Sequence, residues 1–380
     1  MGKWKGKYVI GLTGNIGTGK TVVRRMLEHL GAYGIDADAL THRVISRGAP
    51  GYQKVVETFG QWVVGSDGEI DRQKLGRMVF EDQAALKTLE GIIHPYVIQA
   101  IDLLVRRATQ PVVVIEAIKL DDLDLDHTCD SLWVTTAPLE TQLQRLKAKR
   151  KMSRHEALQR MNAQPSQESR LATANVVIQN DGNFEAAWLQ VNAAWQKLAP
   201  AGVSEPLTEA SPRHTIPQGV LQVLRGKPRH SDEIAVFLNR VRPGSNFARE
   251  DIMAAFGEKA FLLLQVEENL RGLLAWQVEN LVSSTHDIVL DDGVLPEQAL
   301  PPMLKEMEHA SRDLQCEAAL VFAPPALAKR IELWQGLGYE PRAADSLGVN
   351  AWQEAAHDSQ PPNTLLFFKQ LRVDRILRPM

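Results

Sequence analysis

Cysteine is nearly absent from this sequence of 380 residues, which contains only Cys129 and Cys316. Two cysteines so far apart can form neither a disulfide framework nor a four-cysteine zinc site. An excess of basic residues is absent as well, because 43 Lys and Arg residues face 46 Asp and Glu residues. The net charge of −3 excludes the broad positive field that holds nucleic acid without sequence preference, so we expect no nucleic-acid partner.

Long hydrophobic runs are missing too, and this absence bears on the membrane. Apolar runs such as 112–115 and 261–264 are far too short to cross a bilayer. The first residues, MGKWKGKYVIGLTG, contain no apolar region followed by a cleavage site, as a secretory signal would. With 44% hydrophobic and 23% charged residues, the composition is that of a globular protein with a core. We therefore expect a cytoplasmic protein with no membrane partner.

Turn-forming residues are concentrated in one stretch, which predicts the domain organisation. A chain of 380 residues suits two or three domains. The stretch PAGVSEPLTEASPRHTIPQG, at 200–219, is rich in Pro, Ser, Thr and Gly and has no periodic apolar pattern, which is typical of a linker. The sequence therefore predicts a first domain over 1–200, a linker over 201–219 and a second domain over 220–380.

The two predicted domains differ in the order of their elements. In the first, short apolar runs alternate with amphipathic stretches, at 8–12, 21–30, 112–115, 132–135, 139–150 and 154–161. Strands interleaved with helices predict an α/β fold with a doubly wound parallel sheet. The second has apolar runs at 260–266, 270–278 and 286–290, separated by polar turns, which suit an antiparallel meander. Further predicted strands and helices of this part lie at 220–224, 232–241, 318–322, 326–337 and 364–369. This order predicts an α+β domain.

The most specific motif is a glycine-rich loop between the first predicted strand and the first predicted helix. Its residues are Gly14, Asn15, Ile16, Gly17, Thr18, Gly19, Lys20 and Thr21. They fit the pattern G-x-x-x-x-G-K-[ST], in which backbone N–H groups surround phosphate oxygens and the following helix adds its positive dipole. In this pattern Lys20 reaches the β- and γ-phosphates, and the hydroxyl of Thr21 binds Mg²⁺. The loop predicts that the chain binds a nucleoside triphosphate.

Charged residues elsewhere in the first domain narrow the reaction. Asp36 and Asp38 follow a second apolar segment, where a strand of a parallel sheet would end beside the phosphate site. One of them suits removal of a proton from an acceptor hydroxyl, and the other suits a contact with Mg²⁺ or its waters. A solvated helix N-cap is the alternative. Basic residues crowd 145–160, which suits either a lid over the triphosphate or a solvated basic face.

Together these segments resemble the dephospho-CoA kinase family over about 7–195. The resemblance is carried by IGLTGNIGTGKT, IDADALTHRV, DGEIDRQKL, the His94-Pro95 step, TQLQR, Ala163-Gln164 and ATANVVIQN. It implies a P-loop kinase that transfers a phosphoryl group from ATP, with Mg²⁺, to the 3′-hydroxyl of the ribose of dephospho-CoA.

The resemblance also implies a role for each site residue. Asp38 matches the family's catalytic base, and Lys20 and Arg145 match residues that act on the transferred phosphate. Besides the loop itself, the expected ATP contacts are Lys149, Arg150 and Asn180. The expected acceptor contacts are Asp36, His42, Arg72, His94 and Glu116. Thr21 is the expected Mg²⁺ ligand, and Glu116 is an indirect one.

One stretch departs from the family's pattern after the central strand. Where the family has Asp-x-Pro-Leu-Leu-x-Glu, this chain has EAIKLDD at 116–122. Glu116 keeps a carboxylate that is one methylene longer, Ile118 replaces the proline and Lys119 replaces an apolar residue. The geometry beside Mg²⁺ and the acceptor is therefore the open question of this site.

Two further departures lie in the lid and in the loop. The lid arginine aligns on Lys149, which lacks the forked contact of a guanidinium, and Arg150 is available in its place. Asn15 replaces a glycine, which we expect to be tolerated because asparagine accepts unusual backbone angles. None of these changes removes the loop's lysine and threonine or the candidate base, so we expect an active kinase.

The second domain resembles the GNAT acetyltransferase fold in its order of elements and in WQGLGYE at 334–340. In that fold a glycine-rich turn opens a helix, and its N–H groups hold the pyrophosphate of acyl-CoA. The corresponding stretch, 295–303, has no glycine, and Pro301 and Pro302 have no N–H to donate. We therefore expect no standard acetyl-CoA site. Dimerisation or docking, sensing of CoA or acyl-CoA, and acyl transfer stay open as roles, and homo-oligomerisation through this domain is one expectation.

Two other functions stay open for the first domain. One is another P-loop kinase, acting on a nucleoside monophosphate or a small metabolite, and the D-A-D-x-x-x-H string at 36–42 argues against it. The other is a non-catalytic regulator that binds CoA or a nucleotide, which the altered stretch at 116–122 makes plausible.

Overall fold

The protein is described by a computed structural model that covers residues 3–123, 125–198, 213–216 and 219–373. Each of its two sheets forms the centre of one domain. Below, the first domain means the described residues up to 198, and the second domain means those from 213 onward. Most of the expected linker at 201–219 lies outside the described residues, and its described part at 214–216 forms a strand.

The first domain is built on a five-stranded parallel sheet. Its strands are β1 (Tyr8–Thr13), β2 (Tyr33–Asp36), β3 (Val112–Glu116), β4 (Ser131–Thr136) and β5 (Val176–Gln179). They lie in the order β2-β3-β1-β4-β5, and all neighbouring pairs are parallel. The run of Val and Ile in β3 is buried along its whole length, as expected of a central strand covered on both faces. The predicted α/β fold is confirmed.

The helices of the first domain connect and cover these strands. They are α1 (Lys20–His29), α2 (Ala37–Val44), α3 (Tyr52–Phe59), α4 (Arg72–Glu81), α5 (Gln83–Arg107), α6 (Leu139–Arg150), α7 (Arg154–Asn162), α8 (Gln167–Thr173) and α9 (Phe184–Leu198). The two helices α6 and α7 form the basic stretch that the sequence marks as a lid.

Helix α5 is a core helix of the first domain. Among the described residues it is the one helix long and apolar enough to pass a test for a membrane span. Ile93, Val97, Ile101 and Leu104 are buried in the core of the first domain, against strands β2 and β3. One helix of this kind, with a third of its apolar window buried, is weak evidence for a membrane span.

The second domain contains an eight-stranded sheet. Its strands are β6 (His214–Ile216), β7 (Gly219–Arg225), β8 (Ala260–Val266), β9 (Asn269–Glu279), β10 (Val282–Leu290), β11 (Ala318–Ala323), β12 (Glu340–Pro341) and β13 (Leu365–Gln370). Their order is β12-β13-β11-β10-β9-β8-β7-β6, and every neighbouring pair is antiparallel except β10 and β11. The predicted meander of β8, β9 and β10 is confirmed.

The helices of the second domain differ in part from the expected ones. They are α10 (Ser231–Val241), α11 (Arg249–Ala255), α12 (Pro296–Asp313), α13 (Pro325–Ala328), α14 (Ile331–Gly336) and α15 (Asn350–Ser359). The single helix predicted at 326–337 is split into α13 and α14. Pro301 and Pro302 lie inside α12 and not in the turn that opens it, because this helix already begins at Pro296.

The two domains share one hydrophobic core. Val23, Met26 and Leu27 of α1 belong to the same buried cluster as Phe237 and Phe256 of the second domain. A polar contact reinforces this packing, since Nε2 of His29 lies 2.9 Å from the backbone oxygen of Phe256. The second domain is therefore packed onto the first over the helix that follows the phosphate loop.

Truncation of Phe256 tests this shared core. We expect Phe256→Ala to lower the free energy of unfolding by about 3–5 kcal/mol, because a fully buried aromatic side chain leaves a cavity. Denaturant unfolding followed by tryptophan fluorescence measures the change, and both domains should unfold in one transition. In the matched control Phe80→Ala the side chain is 73% exposed, and we expect a change below about 0.5 kcal/mol. Two separate transitions in the unmodified chain would contradict the shared core.

Candidate active site

The sequence-predicted site residues gather where the five parallel strands end. Asp36 ends β2 and Glu116 ends β3, and the two are register partners. Thr13 ends β1 directly before the phosphate loop, and Asn180 follows β5. The carboxyl edge of a parallel sheet is the usual place for ligands in such folds. Residues up to 167 positions apart in the sequence therefore meet at one edge because β-strands in this sheet all run the same way.

The phosphate loop has the backbone that its glycines predict. Gly17 and Gly19 have φ values of +81° and +88°, which residues with a side chain rarely adopt. A Cβ atom on Gly19 would lie 2.0 Å from Nδ2 of Asn180. That amide nitrogen donates to the backbone oxygen of Thr18 at 3.0 Å. Asn180, an expected ATP contact, thus supports the shape of the loop.

Asn15 adopts no unusual backbone angles, so the expected reason for its tolerance is wrong. Among the described non-glycine residues with positive φ, Asn15 does not occur. Its backbone oxygen accepts hydrogen bonds from the N–H group of Thr18 at 3.2 Å and from the Thr18 hydroxyl at 2.7 Å. The backbone here has no positive φ, so it does not require the unusual angles that glycine or asparagine accept.

Lys20 and Thr21 begin α1 at the floor of the site. Nζ of Lys20 donates to the backbone oxygen of Gly14 at 3.0 Å, and burial lowers the pKa of this lysine while Glu116 opposes the shift. The Thr21 hydroxyl donates to Oε1 of Glu116 at 2.8 Å. Two adjacent oxygen atoms suit Mg²⁺, which takes its other ligands from water and substrate phosphates. Accordingly, the described residues contain no cluster of three or more metal-ligating side chains.

Asp36 is the N-cap of helix α2, the alternative that the sequence left open to a catalytic role. Its Oδ1 accepts a hydrogen bond from the N–H group of Ala39 at 2.8 Å and so caps α2. Burial, together with the nearby carboxylate of Glu116, raises the pKa of Asp36 to about 6. One oxygen of this carboxyl is committed to the helix, which leaves the second oxygen for any contact with the acceptor.

Asp38 is the carboxylate that faces the phosphate loop. Its side chain is open to solvent, and its Oδ2 accepts a hydrogen bond from the N–H group of Ile118 at 3.2 Å. Desolvation by the atoms around the carboxyl raises the pKa of Asp38, and the positive charge of Lys20 opposes that shift. A carboxylate that is reachable by substrate and has a raised pKa suits a general base.

The altered stretch at 116–122 keeps the site intact. Glu116 is buried and also accepts a hydrogen bond from Nε of Arg24 at 2.8 Å. Ile118 supplies the N–H group that binds Asp38, which a proline at this position would lack. Lys119 forms an ion pair with Asp122 at 2.8 Å, so its charge is neutralised within the stretch. The replacements therefore change how the base is held and not whether it is present.

The structure gives different surroundings to Lys149 and Arg150, the two neighbouring lid residues that we expect to contact ATP. Nη1 of Arg145 donates to the backbone oxygen of Gly17 at 3.1 Å, so this arginine lies against the phosphate loop. The charge of Arg150 lowers the pKa of Lys20 in that loop, after the larger effect of desolvation. Lys149, however, binds Glu258 of the second domain at 2.6 Å. Of the neighbouring pair 149–150, the lysine is held by the second domain, which leaves the arginine as the candidate ATP contact.

The expected acceptor residues from two distant segments meet at the domain boundary. Desolvation and then the charge of Arg72 lower the pKa of His42. The Arg72 guanidinium is hydrogen-bonded to the carboxylate of Glu354, on α15 of the second domain. His94 is half-buried on α5, one residue before the proline inside that helix. The second domain thus contributes a carboxylate beside the expected acceptor residues.

Arg170 is a site residue that the sequence analysis missed. It lies on α8, is buried, and donates from Nη1 to the Thr13 hydroxyl at 2.7 Å. Its Nε and Nη2 atoms are buried and have no hydrogen-bond partner among the described residues. Buried donors of this kind are normally satisfied, and a phosphate oxygen would satisfy them. The only sequence signal was its position just before the family string ATANVVIQN.

Comparison with solved structures finds likenesses to each part of the chain. TT1252 from Thermus thermophilus is 30% identical, with a TM-score of 0.46, and the alignment covers 51% of this chain and 99% of that one. A GNAT-family acetyltransferase from Streptococcus pneumoniae is 12% identical, with a TM-score of 0.31, and covers 40% of this chain and 98% of its own.

Comparison with known sequences concerns the first domain. The family model described as dephospho-CoA kinase matches residues 8–186. The dephospho-CoA kinase of Moorella thermoacetica is 40% identical over 197 residues, which cover 50% of this chain and 92% of that protein. The one from Geobacter sulfurreducens is 38% identical over 195 residues and is covered to 99%. At this identity and over almost the whole length of these relatives, the chain belongs to the dephospho-CoA kinase family.

Proposed function

We propose that the first domain transfers the γ-phosphoryl group of ATP to the 3′-hydroxyl of the ribose of dephospho-CoA, giving CoA and ADP. One observation carries this proposal in a chain of this family. The accessible carboxylate of Asp38 lies at the same sheet edge as Lys20 of the phosphate loop and the paired oxygens of Thr21 and Glu116. These groups are what phosphoryl transfer to an alcohol requires.

The proposed reaction balances with the residues at this edge. Asp38 takes the proton of the 3′-hydroxyl while the oxygen of that hydroxyl forms a bond to the γ-phosphorus. The bond from that phosphorus to the bridging oxygen of ADP breaks, and ADP leaves with the electron pair. Lys20 and Arg145 hold the negative charge that spreads over the phosphoryl oxygens. Mg²⁺, held beside Thr21 and Glu116, supplies further charge neutralisation at the β- and γ-phosphates when bound.

For the second domain we propose a docking role, in which it packs against the first domain of the same chain. Its shared core with α1 supports packing within one chain. The start of α12 does not favour a pyrophosphate, because the first N–H groups after Pro296 and Glu297 bind the backbone oxygen of Leu295. The absence of a standard acetyl-CoA site and homo-oligomerisation through this domain stay predictions, as do a cytoplasmic location and the lack of membrane and nucleic-acid partners.

A direct assay tests the proposed activity. The full-length protein, incubated with ATP, Mg²⁺ and dephospho-CoA, should form CoA and ADP in equal amounts. We expect Asp38→Asn to lower kcat by about 10²–10⁴-fold, the usual contribution of a general base. The matched control Asp358→Asn changes an exposed aspartate on α15 and should leave kcat unchanged. No CoA above a control without enzyme would overturn the proposed function.

The raised pKa of Asp38 predicts the pH dependence of the reaction. A base acts as the carboxylate, so kcat/KM should fall as the pH drops through the raised pKa, at a pH above the ordinary aspartate value of about 3.9. The hydrogen bond from Ile118 opposes this shift. Removing it with Ile118→Pro should therefore move the acid limb to still higher pH. A limb that stays in place in this variant would contradict the assigned contact.

The two lid residues should differ in their importance. We expect Arg150→Ala to raise the KM for ATP by about tenfold, the effect of losing one charge-assisted contact. Lys149→Ala serves as the matched control, because its ion pair with Glu258 is exposed, and a change within about twofold is expected. Steady-state kinetics with varied ATP measures both. A larger effect for Lys149→Ala than for Arg150→Ala would reverse the assignment.

A further inference from the structure

A buried ion pair joins helix α2 of the first domain to the second domain. Arg43 lies in the last turn of α2, and its Nη2 donates to Oε2 of Glu317 at 2.7 Å. Its Nη1 donates to the backbone oxygen of Asn280 at 2.7 Å. The side chains of Arg43 and Glu317 are only 6% and 0% exposed. Both ends of the guanidinium are therefore held by the second domain, away from water.

The groups that hold Arg43 are themselves firmly placed. The N–H group of Glu317 donates to the backbone oxygen of Leu281 at 2.7 Å. The backbone oxygen of Glu317 accepts from the N–H group of Leu371 at 2.8 Å. Asn280 and Leu281 form the two-residue turn between β9 and β10, with φ values of +50° and +62°. A leucine in the left-handed region is strained, and such strain persists where surrounding contacts enforce it. Here Leu281 packs against the core cluster of the first domain.

The space next to this turn makes the ion pair important for α2. A cavity of about 240 Å³ lies between the domains, lined among others by Asp36 and Leu40 of the α2 segment and by Asn280 and Leu281 of the turn. Helix α2 is therefore not closely packed along this side. The contacts of Arg43 are the polar connection that spans from α2 to the second domain at this place.

We propose that Glu317 and the turn at 280–281 are positioning residues for α2, so that the second domain sets the place of the base Asp38. Asp38 and Arg43 lie on one short helix, five residues and about 7.5 Å apart along its axis. A helix of this length moves as a unit, so holding Arg43 holds Asp38. The family match ends at residue 186, before both positioning elements. The inference rests on the proposed function, because it assigns the same base.

The variant Glu317→Gln tests this positioning. It removes the charge but keeps the size of the side chain. We expect kcat for CoA formation to fall on the order of 10- to 100-fold, because small misplacement of a reacting group has effects of this size. The KM for ATP should stay unchanged, since the phosphate loop leads into α1 and does not include α2. Hydrogen exchange at the α2 amides should become at least tenfold faster, while exchange in α1 stays as in the unmodified chain.

A matched control and a double variant separate positioning from stability. Glu185→Gln breaks another ion pair between the domains, with Arg249 at 2.9 Å, and should change neither kcat nor exchange in α2. Replacing the buried pair by Arg43→Met with Glu317→Leu should keep the unfolding midpoint near that of the unmodified chain. It cannot restore the bond to Asn280, so we expect kcat to stay low.

The outcomes distinguish this inference from the proposed function. If the unmodified chain forms no CoA, the proposed function fails. Whether Glu317 holds α2 can still be decided, by comparing hydrogen exchange at the α2 amides in Glu317→Gln with that in Glu185→Gln. If the unmodified chain is active and Glu317→Gln matches it in kcat and α2 exchange, the positioning role is overturned. A double variant that regains full kcat together with stability would also overturn it, because packing alone would then suffice.

Discussion

Helix α1 completes the phosphate loop at its N-terminus and packs in the core between the two domains, and much of the molecule depends on this double constraint. Its first residues, Lys20 and Thr21, complete the phosphate loop and must stay at the sheet edge. Its apolar residues Val23, Met26 and Leu27 lie in the core that both domains share. A displacement of the second domain would therefore also displace α1, which begins with Lys20 of the phosphate loop, because closely packed interiors transmit strain.

The second constraint is the burial of charge around the site. Lys20, Arg24 and Glu116 are buried, and each is placed beside a group of opposite charge. Buried charges are tolerated only when they are paired and hydrogen-bonded, so the geometry of one residue restricts its neighbours. The same rule applies at the domain boundary, where Arg43 is buried and its partners come from the second domain. Electrostatic pairing thus links the active site to the packing of the domains.

Local patterns in the sequence were enough for most strands and for the centre of the site. Continuous Val and Ile runs identified the central strands, and the glycine and lysine pattern identified the phosphate loop, because both rest on interactions between residues close in sequence. The split of the predicted helix at 326–337 was missed, and so was helix α15. Local patterns are a weak guide to such short helices, because tertiary packing can override intrinsic propensity. Arg170 was missed for a related reason, since only its neighbours in space show that it faces Thr13.

The sequence by itself determined the chemistry available to this protein: a phosphate loop, an Asp-Ala-Asp string at the end of a strand and a cluster of basic residues. Tertiary structure decided which members of each group act together. It assigned Asp36 to the cap of α2, left Asp38 exposed with a single hydrogen bond from Ile118, and directed Lys149 to the second domain. It also brought Glu317 and Asn280 of the second domain against Arg43 of α2. The physical reason is that residue type and spacing set what a side chain can bind, whereas its actual partner depends on which distant segments the core packing brings within hydrogen-bond reach.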